Sequence, residues 1–431
     1  MTDTLVDVAG MRLAVVNWRD PWHPAAGGAE RYAWELARRL AAQGAQVSYV
    51  TSRAPGQPRR DAVDGVDFVR LGGRFTVYPL VLIEMFLRRR SYDAVIDCQN
   101  GIPFFTPWAL RRRTPVLCVV HHVHEEQFAL YFPGWLAWVG RTLEGPVARL
   151  AYRRHACVAG SPSTLLALRE RLAWTGPIYM VPNGVTSTEV PAATASGEGP
   201  RLVCVTRLVP HKQVGHVLDL AEWLRDRLPG LRVQIIGDGP LAGPLAQEVA
   251  ERGLGDVVDL TGFVSEEVKA ALVAGADLHL STSRGEGWGL SVVEAAAAGV
   301  PTVAYDVEGL RDAVRDGVTG WLVREGESLE EVVERALKEL ADPVRRAELA
   351  QACADWAARF DWSRTAERMG QLLTASVRAG SSHSADDGAH VVRGYDDGPE
   401  LVVEGLVGQQ AGLTAVRPAS PLERLLGRTG D

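Results

Sequence analysis

The stretch Ser283-Arg-Gly-Glu-Gly-Trp-Gly-Leu-Ser-Val-Val-Glu294 follows a strand that we predict at Leu278–Ser281 and leads into a helical pattern that we place at Leu290–Ala298. It is therefore the loop between a buried strand and a helix. A strand, a short loop and a helix are the repeating unit of doubly wound parallel sheets. Ligands of such sheets bind at the carboxyl ends of the strands, where this loop lies.

The composition of the loop indicates a class of ligand. Gly287 and Gly289 leave the backbone N–H groups uncovered at the positive end of the helix, which suits a phosphate. The two carboxylates, Glu286 and Glu294, can accept hydrogen bonds from sugar or ribose hydroxyls. Phosphate donors beside hydroxyl acceptors predict a nucleotide-sugar site. The alternative is an ordinary turn with two solvated glutamates.

The same alternation extends outward toward both ends of the chain. In the first half we predict strands at Leu13–Asn17, Gln46–Thr51, Val66–Arg70, Ala94–Asp97, Val116–Val120 and Ala156–Gly160, with a helix at Gly27–Leu40. In the second half we predict strands at Leu202–Val205, Arg232–Ile236, Val257–Leu260, Leu278–Ser281 and Thr302–Tyr305. The helices between and after them are Val217–Leu228, Leu241–Arg252, Glu266–Ala274, Leu290–Ala298 and Leu329–Leu340. The pattern predicts two α/β domains facing a central cleft.

The domain boundaries follow from composition. We predict an N-terminal, acceptor-side domain over residues 1–185 and a C-terminal, nucleotide-sugar domain over 186–360, with a polar linker at Thr186–Pro200. A crossover helix within 361–378 packs back on the first domain. The Gly-, Ser- and Asp-rich residues 379–431 are predicted to be disordered.

Charge and composition exclude several classes. The chain is 46% hydrophobic and 23% charged, as globular proteins are. Residues 1–190 carry 22 Arg and no Lys against 16 acidic residues (+6), and the rest carries 24 basic and 37 acidic residues (−13), which sum to −7. The basic runs lack interleaved aromatics, so no nucleic acid is expected. Without a secretory signal or a membrane span, a cytoplasmic protein is predicted, with reduced core cysteines at Cys98, Cys118, Cys157, Cys204 and Cys353.

Two cations follow the strand at Leu202–Val205. Arg207 and Lys212 lie five residues apart on one loop. Permanent positive charge at a strand end can hold a diphosphate and stabilise it as it departs. The alternative is a solvated loop.

Three further loops border the predicted site. Gly27 and Gly28 open a helix and form a second candidate anion site, or merely a flexible helix entry. Gly237-Asp-Gly-Pro240 follows a strand and is interpreted as a tight turn beside the nucleotide. Val264, at the end of the next strand, is placed beside the base.

Histidines end the strand at Val116–Val120. His121, His122 and His124, followed by two glutamates, allow a metal interpretation, but a polar sugar contact fits better. The chain has no Asp-x-Asp triplet for a cation that bridges phosphates. We therefore predict a reaction without metal or cofactor.

The aromatic segment Tyr131–Trp138 lies in a half of the chain that also contains the runs Arg88–Arg90 and Arg111–Arg113. Such a surface could rest on the inner face of an anionic membrane or admit a lipid-linked acceptor. A core helix with basic residues in its last turn is the other interpretation, and both stay open.

Taken together, these motifs resemble the retaining GT-B glycosyltransferases of family 4. The family's Glu-x7-Glu signature matches Glu286–Glu294, with Trp288 replacing Phe and Ser291 replacing Pro. Its Gly-Arg-Leu-x-x-x-Lys segment matches 206–212, with Thr206 replacing Gly. Its Pro-Asn-Gly-Val and Gly-Gly-x-Glu segments match Pro182–Val185 and Gly27–Glu30. The resemblance covers roughly residues 12–376.

The resemblance implies roles for individual residues. Arg207 and Lys212 hold the donor diphosphate, Glu286 contacts the sugar, Glu294 contacts the ribose, and His121 contacts the sugar near the reacting carbon. The whole donor-binding set that it implies is Gly27, Gly28, Arg207, Lys212, Gly237, Val264, Glu286, Gly287, Trp288, Gly289, Leu290 and Glu294.

The resemblance also implies a reaction, the transfer of a glucosyl- or mannosyl-type group from a UDP- or GDP-hexose to an acceptor hydroxyl with retention. An epimerase of the same fold and a non-catalytic nucleotide-sugar-binding scaffold are the alternatives. Incubation with donor and no acceptor would separate the three.

Overall fold

The computed structural model describes residues 8–24, 26–186 and 199–381, and side chains as far as Arg378. Most of the predicted linker and the predicted disordered tail lie outside these residues. The described chain divides into two compact units. Unit 1 comprises the residues up to Pro182 together with those from Trp362 onward, and unit 2 is Asn183–Asp361.

Unit 1 is built around one eight-stranded sheet. Its strands are β1 (Arg12–Val16), β2 (Gln46–Thr51), β3 (Arg60–Val63), β4 (Val66–Arg70), β5 (Ala94–Gln99), β6 (Val116–Val120), β7 (Ala156–Ala159) and β8 (Ile178–Met180). Its helices before residue 183 are α1 (Gly28–Ala42), α2 (Val77–Leu87), α3 (Glu125–Tyr131), α4 (Gly134–Thr142), α5 (Ala148–Ala151) and α6 (Pro162–Glu170). The strand order is β3-β4-β2-β1-β5-β6-β7-β8.

The sheet of unit 1 is parallel except at one edge. The edge strand β3 pairs antiparallel with β4 through a turn in which both Asp64 (φ 50°) and Gly65 (φ 77°) are left-handed. Asp-Gly is the preferred pair for this type of two-residue hairpin. β3 was not predicted from the sequence, because it is charged and largely exposed and therefore contains no apolar run.

Unit 2 contains a six-stranded sheet that is parallel throughout its described pairings. Its strands are β9 (Arg201–Val205), β10 (Arg232–Ile236), β11 (Val258–Gly262), β12 (Leu278–Ser281), β13 (Thr302–Tyr305) and β14 (Gly320–Val323). Its helices are α7 (Gly215–Arg225), α8 (Ala242–Glu251), α9 (Glu266–Ala274), α10 (Leu290–Ala297), α11 (Leu310–Ala313), α12 (Leu329–Leu340) and α13 (Pro343–Ala357). The strand order is β11-β10-β9-β12-β13-β14.

The topology of unit 2 creates a switch point. From β9 the chain winds outward through β10 to β11, and then returns to the other side of β9 with β12, β13 and β14. Loops on the two sides of β9 therefore diverge, and the space between the ends of β9 and β12 is where doubly wound sheets bind ligands. The loops that follow these two strands carry the cations and the carboxylates singled out in the sequence.

The last helix, α14 (Trp362–Ser381), belongs to unit 1. Trp362, Met369 and Leu373 are buried in the same core as Leu13 of β1 and Tyr32 of α1. Within the described residues, no helix combines the length and the apolar character needed to cross a bilayer. The two parallel-sheet domains confirm the predicted fold class.

Candidate functional site

The candidate site lies on unit 2, at the carboxyl ends of four strands. Loops follow β9, β10, β12 and β13, which are neighbours in the order β10-β9-β12-β13. Because these strands are parallel, their carboxyl ends meet at one edge of the sheet. The structure therefore brings together loops that are separated by up to about a hundred residues in the sequence.

A pair between opposite charges forms the centre of this edge. Lys212, in the turn Pro210–Lys212, donates from Nζ to Oε1 of Glu286, and the same oxygen accepts a hydrogen bond of 2.7 Å from Ser283 Oγ. Burial raises the pKa of Glu286, but the Lys212 ammonium and the two hydrogen bonds, with His211, outweigh burial and hold that pKa below its usual range. Glu286 is therefore an anion at neutral pH.

Backbone and hydroxyl contacts join the two loops that carry this pair. Thr282 Oγ1 lies 3.0 Å from the carbonyl of Lys212 and 3.2 Å from that of Gln213, to which it can donate. The N–H of Arg284 donates to the carbonyl of His211 at 2.9 Å. The positions of Lys212 and Glu286 are thus fixed before any ligand binds, as efficient electrostatic binding requires.

Arg207 lies on the same loop as Lys212, and its side chain is exposed. The loop is held by a hydrogen bond from the N–H of Val209 to the carbonyl of Arg207 at 2.8 Å. A second bond, from the N–H of Leu208 to the carbonyl of Asp238 at 3.0 Å, ties it to the loop after β10. A guanidinium on a fixed loop at the ligand-binding edge is suited to a diphosphate.

The Gly-Asp-Gly turn after β10 allows this close approach of backbones. A Cβ on Gly237, which has φ 139°, would lie 1.9 Å from the carbonyl oxygen of Thr206. A Cβ on Gly239 would lie 2.4 Å from the carbonyl oxygen of Leu208. Gly237 is therefore required for packing beneath the cation loop, and a direct contact with a donor stays a prediction.

Helix α10 begins at this edge, and two glycines allow the tight backbone packing around its N-terminus. Gly289 precedes the helix in a left-handed conformation, with φ 75°. Gly309, in the loop after β13, lies so close to Glu286 that a Cβ would be 2.2 Å from the Glu286 carbonyl oxygen. The N–H of Glu286 also donates to the carbonyl of Glu308 at 2.9 Å. Gly309 was not among the predicted site residues, because its position after a predicted strand is the only feature of the sequence that points to it.

Trp288 does not present its side chain at the site. The ring is 4% exposed and meets Phe360 edge to face, with centroids 4.8 Å apart. An aromatic residue in the signature thus serves the core of unit 2. Its predicted role in donor binding is restricted to its backbone, like that of the neighbouring Gly287.

The second glutamate of the signature has a partner that the sequence did not indicate. Glu294, in the second turn of α10, forms an ion pair of 3.0 Å with Lys269 of α9, and Lys269 also contacts Glu266 at 2.9 Å. Val264, placed beside the base in the sequence analysis, is partly buried against an apolar cluster that includes Ile236 and Val273. The contacts of Glu294 with a ribose and of Val264 with a base stay predictions.

The other candidate residues belong to unit 1. The N–H of Gly27 donates to Oε2 of Glu30 at 2.8 Å, and Glu30 lies 3.9 Å from Arg19. The predicted anion site at Gly27 and Gly28 therefore already contains an internal carboxylate, which disfavours an anion there.

His121 is partly buried in unit 1. Its ring meets Tyr32 edge to face at 4.8 Å, and burial, together with the nearby His124, lowers its pKa to about 4. His124 is held by Glu144, which accepts from its backbone N–H at 2.7 Å and lies 3.3 Å from its Nδ1. The sequence analysis missed Glu144. No group of three or more His, Cys, Asp or Glu residues in the described part of the chain is arranged to hold a metal ion.

Two family models match the chain in succession. The model described as Glycosyltransferase Family 4 matches residues 26–189, and the model described as Glycosyl transferases group 1 matches residues 187–356. The chain belongs to the group 1 glycosyltransferases. Its membership confirms the predicted family and enzyme class, and the second match contains the whole candidate site.

Individual relatives of this glycosyltransferase agree with the assignment. A GDP-mannose-dependent alpha-(1-6)-phosphatidylinositol monomannoside mannosyltransferase of Mycolicibacterium smegmatis is 32% identical over 191 residues, 42% of this chain and 50% of that protein. The chain thus spans about half the length of this relative. A phosphatidyl-myo-inositol mannosyltransferase of Mycobacterium leprae is 26% identical over 379 residues, 82% of this chain and 95% of that protein.

Solved structures share the fold. Sucrose-phosphate synthase from Thermosynechococcus elongatus has a TM-score of 0.73 and 21% identity, covering 86% of this chain and all of that one. The glycosyltransferase therefore has the GT-B fold.

Proposed function

We propose that this glycosyltransferase moves a hexosyl group from a nucleotide-diphosphate sugar to an acceptor hydroxyl with retention of configuration. The observation that carries the proposal is the pair of Lys212 and Glu286 at the switch point of the sheet in unit 2, with Arg207 exposed on the same loop as Lys212. Two cations, a fixed carboxylate and the start of a helix supply separate groups for the diphosphate and for the hydroxyls of a sugar.

In this proposal each group has one role. Arg207 and Lys212 bind the diphosphate, and the backbone at Gly289 and Leu290 supports it from the N-terminus of α10. Glu286 accepts hydrogen bonds from the sugar, and Glu294 from the ribose. Because Glu286 and Lys212 pair with each other in the free enzyme, the donor enters by exchanging parts of that pair for its own phosphate and hydroxyls.

The proposed step exchanges one bond at the anomeric carbon of the donor sugar for another. The bond from the anomeric carbon to the donor phosphate oxygen breaks, and a bond from that carbon to the acceptor oxygen forms on the same face. The acceptor proton passes to the departing phosphate oxygen, so the products are a glycoside and a nucleoside diphosphate. Arg207 and Lys212 stabilise the charge that grows on the leaving group, at about 10²–10³ in rate for each group.

The relatives suggest which substrates to test first. The Mycolicibacterium relative is named for GDP-mannose, and both mannosyltransferases are named for phosphatidylinositol-based acceptors. We propose a GDP- or UDP-hexose donor, with GDP-mannose tested first, and a lipid-linked hydroxyl acceptor.

The test is donor turnover by the purified full chain. Each nucleotide sugar is incubated with the enzyme without acceptor, and the release of nucleoside diphosphate is measured, first for the unmodified chain and then for Arg207→Ala with Lys212→Ala. We expect slow hydrolysis that this double variant lowers by at least about a thousandfold, since it removes two charge-stabilising groups. The matched control is Arg335→Ala with Lys338→Ala on α12, which removes the same charges from an exposed helix.

Each other outcome contradicts the proposal. An altered sugar still attached to its nucleotide would indicate an epimerase. Donor binding without any turnover, with or without acceptors, would indicate a scaffold. A double variant within a few-fold of the unmodified chain would show that these cations do not act on the leaving group.

A further inference from the structure

Helix α2 of unit 1 carries an unusual solvent-facing surface. Five large apolar side chains on and just before it are between 36% and 71% exposed, namely Phe75, Leu80, Ile83, Phe86 and Leu87. From Leu80 onward they recur at spacings of three, three and one, so they form one stripe along the helix. We call these five residues the α2 face. Contiguous exposed apolar surface of this kind marks an interaction site more often than single exposed residues do.

The α2 face is not needed to hold the helix on the sheet. The opposite side of α2 presents Val77, Val81 and Met85, which are fully buried in the core of unit 1. The one charged residue within the helix, Glu84, pairs with Arg88 at 2.7 Å. Packing and helix formation are thus satisfied by one side, and the apolar character of the other side is unexplained by folding.

Positive charge brackets the α2 face. Arg74 precedes the helix and Arg88–Arg90 follow it, so four arginines and Glu84 give a local charge of +3. The guanidinium of Arg89 lies 4.1 Å from the ring centroid of Phe86, and that of Arg74 lies 5.2 Å from the ring of Phe75. The charges therefore lie beside the apolar side chains.

We infer that the α2 face docks on the surface of an anionic lipid bilayer. An apolar stripe with arginines at its edges matches acyl chains that are bordered by acidic headgroups. Eleven residues make a helix of about 16 Å, too short to cross a bilayer, so α2 lies in the plane of the interface.

The charges argue against a second copy of the chain as the occupant. A two-fold interface apposes the same patch from both partners. The flanking arginines of the two copies would then be brought near each other around an apolar centre, which costs energy through like-charge repulsion. A negatively charged bilayer turns the same arginines into attractive contacts.

This inference goes beyond the proposed function, because it depends on neither the donor nor the transfer step. It is tested by flotation of the full chain, without nucleotide, with vesicles of phosphatidylcholine alone or with phosphatidylglycerol added. We expect binding to the anionic vesicles that weakens as salt is raised. Ile83→Ser with Phe86→Ser, and separately Arg89→Glu with Arg90→Glu, should each lower the bound fraction by about tenfold.

Two control variants make the test specific. Trp135→Ser with Trp138→Ser removes an equally exposed aromatic pair from α4, and Val344→Ser removes an exposed apolar side chain from unit 2. The inference predicts that both controls keep most of the binding. It is overturned if the unmodified chain ignores anionic vesicles, if the Trp variant alone abolishes binding, or if Ile83→Ser with Phe86→Ser instead dissociates a dimer seen by sedimentation. Donor hydrolysis by the same variants in detergent-free buffer keeps this result separate from that of the proposed function.

Discussion

Replacing Lys212 by Met should destabilise unit 2 measurably, because it leaves the Glu286 carboxylate without its cation. The side chains of the pair are 14% and 22% exposed. Breaking a fully buried pair costs about 3–5 kcal/mol, and an exposed pair contributes about 0–1 kcal/mol. With Ser283 retained as a donor to Glu286, we expect a loss of about 2 kcal/mol. For a unit of this size that lowers Tm by about 4–8 °C.

The pH dependence of this loss has a definite sign. The pKa of Glu286 is lowered in the folded protein, so the folded state binds fewer protons than the unfolded state near the ordinary glutamate pKa. The contribution of the pair is therefore complete above about pH 4.5 and is lost as the pH falls through the lower, folded pKa. The difference between the unmodified chain and Lys212→Met should be largest near neutral pH and should shrink as the pH falls, because Glu286 without the neighbouring cation is protonated more readily in the folded variant.

The assay is a double-mutant cycle followed by urea unfolding. It compares the unmodified chain, Lys212→Met, Glu286→Gln and the double variant, with Lys338→Met as a control from an exposed pair on α12. We expect a coupling energy of about 1–2 kcal/mol for the first pair. The reasoning is refuted if Lys212→Met costs no more than Lys338→Met and the coupling is below about 0.3 kcal/mol.

Three further predictions test other parts of the structure by the same unfolding measurement. Gly237→Ala should lower the free energy of unfolding by more than about 2 kcal/mol, because the added Cβ would collide with a backbone carbonyl. The matched control is Gly243→Ala in α8, where a Cβ has free space, and it should be neutral or stabilising by up to about 1 kcal/mol. Burial lowers the pKa of His279 to about 3, so as the pH falls below about 6.5 this histidine is protonated in the unfolded chain before it is protonated in the folded protein. Its contribution to the free energy of unfolding therefore falls by about 1.4 kcal/mol for each pH unit in this range. His279→Gln should remove this contribution to the pH dependence. Arg70→Met should cost about 3–5 kcal/mol, since Asp20 beside it is fully buried, 2.5 Å from Arg70 Nε.

Each of these has a result that would contradict it. Equal stability of the two glycine variants would remove the steric argument for the turn after β10. An unchanged pH slope in His279→Gln would mean that this histidine is not the group that resists protonation. A cost below about 1 kcal/mol for Arg70→Met would place that pair in the class of surface ion pairs.

A strand made entirely of buried apolar residues is among the elements that the sequence predicted correctly. Val116–Val120 is buried at every position and all five of its residues are apolar, so an apolar run marks it. The short strand β14 and helix α13 were not predicted, and β8 has only three residues. β14 is buried at every position, but its run Trp321–Val323 has only three large apolar residues, and a run this short does not distinguish a strand from part of a helix.

The site was predictable as a set of loops but not as a set of contacts. The chain order places Arg207, Lys212 and Glu286 after strands, and a parallel sheet brings strand ends together. The pairing of Lys269 with Glu294 and the approach of Gly309 to Glu286 depend on the register and packing of separate elements, which no local pattern encodes. The same applies to α2, whose composition does not reveal which of its two apolar sides faces water.

The return of α14 to the first sheet has a consequence for biosynthesis. Because Trp362, Met369 and Leu373 fill the same core as Leu13 and Tyr32, one face of that sheet cannot be completely covered until the ribosome has passed the end of unit 2. At about 5–20 residues per second, translation of unit 2 alone takes on the order of ten seconds or more. During that interval the part of the sheet that α14 covers is exposed to the cell, and a chain that stopped at Asp361 would keep it exposed. Newly made chains of this enzyme should therefore depend on chaperones that hold the first half of the protein while the second half is completed.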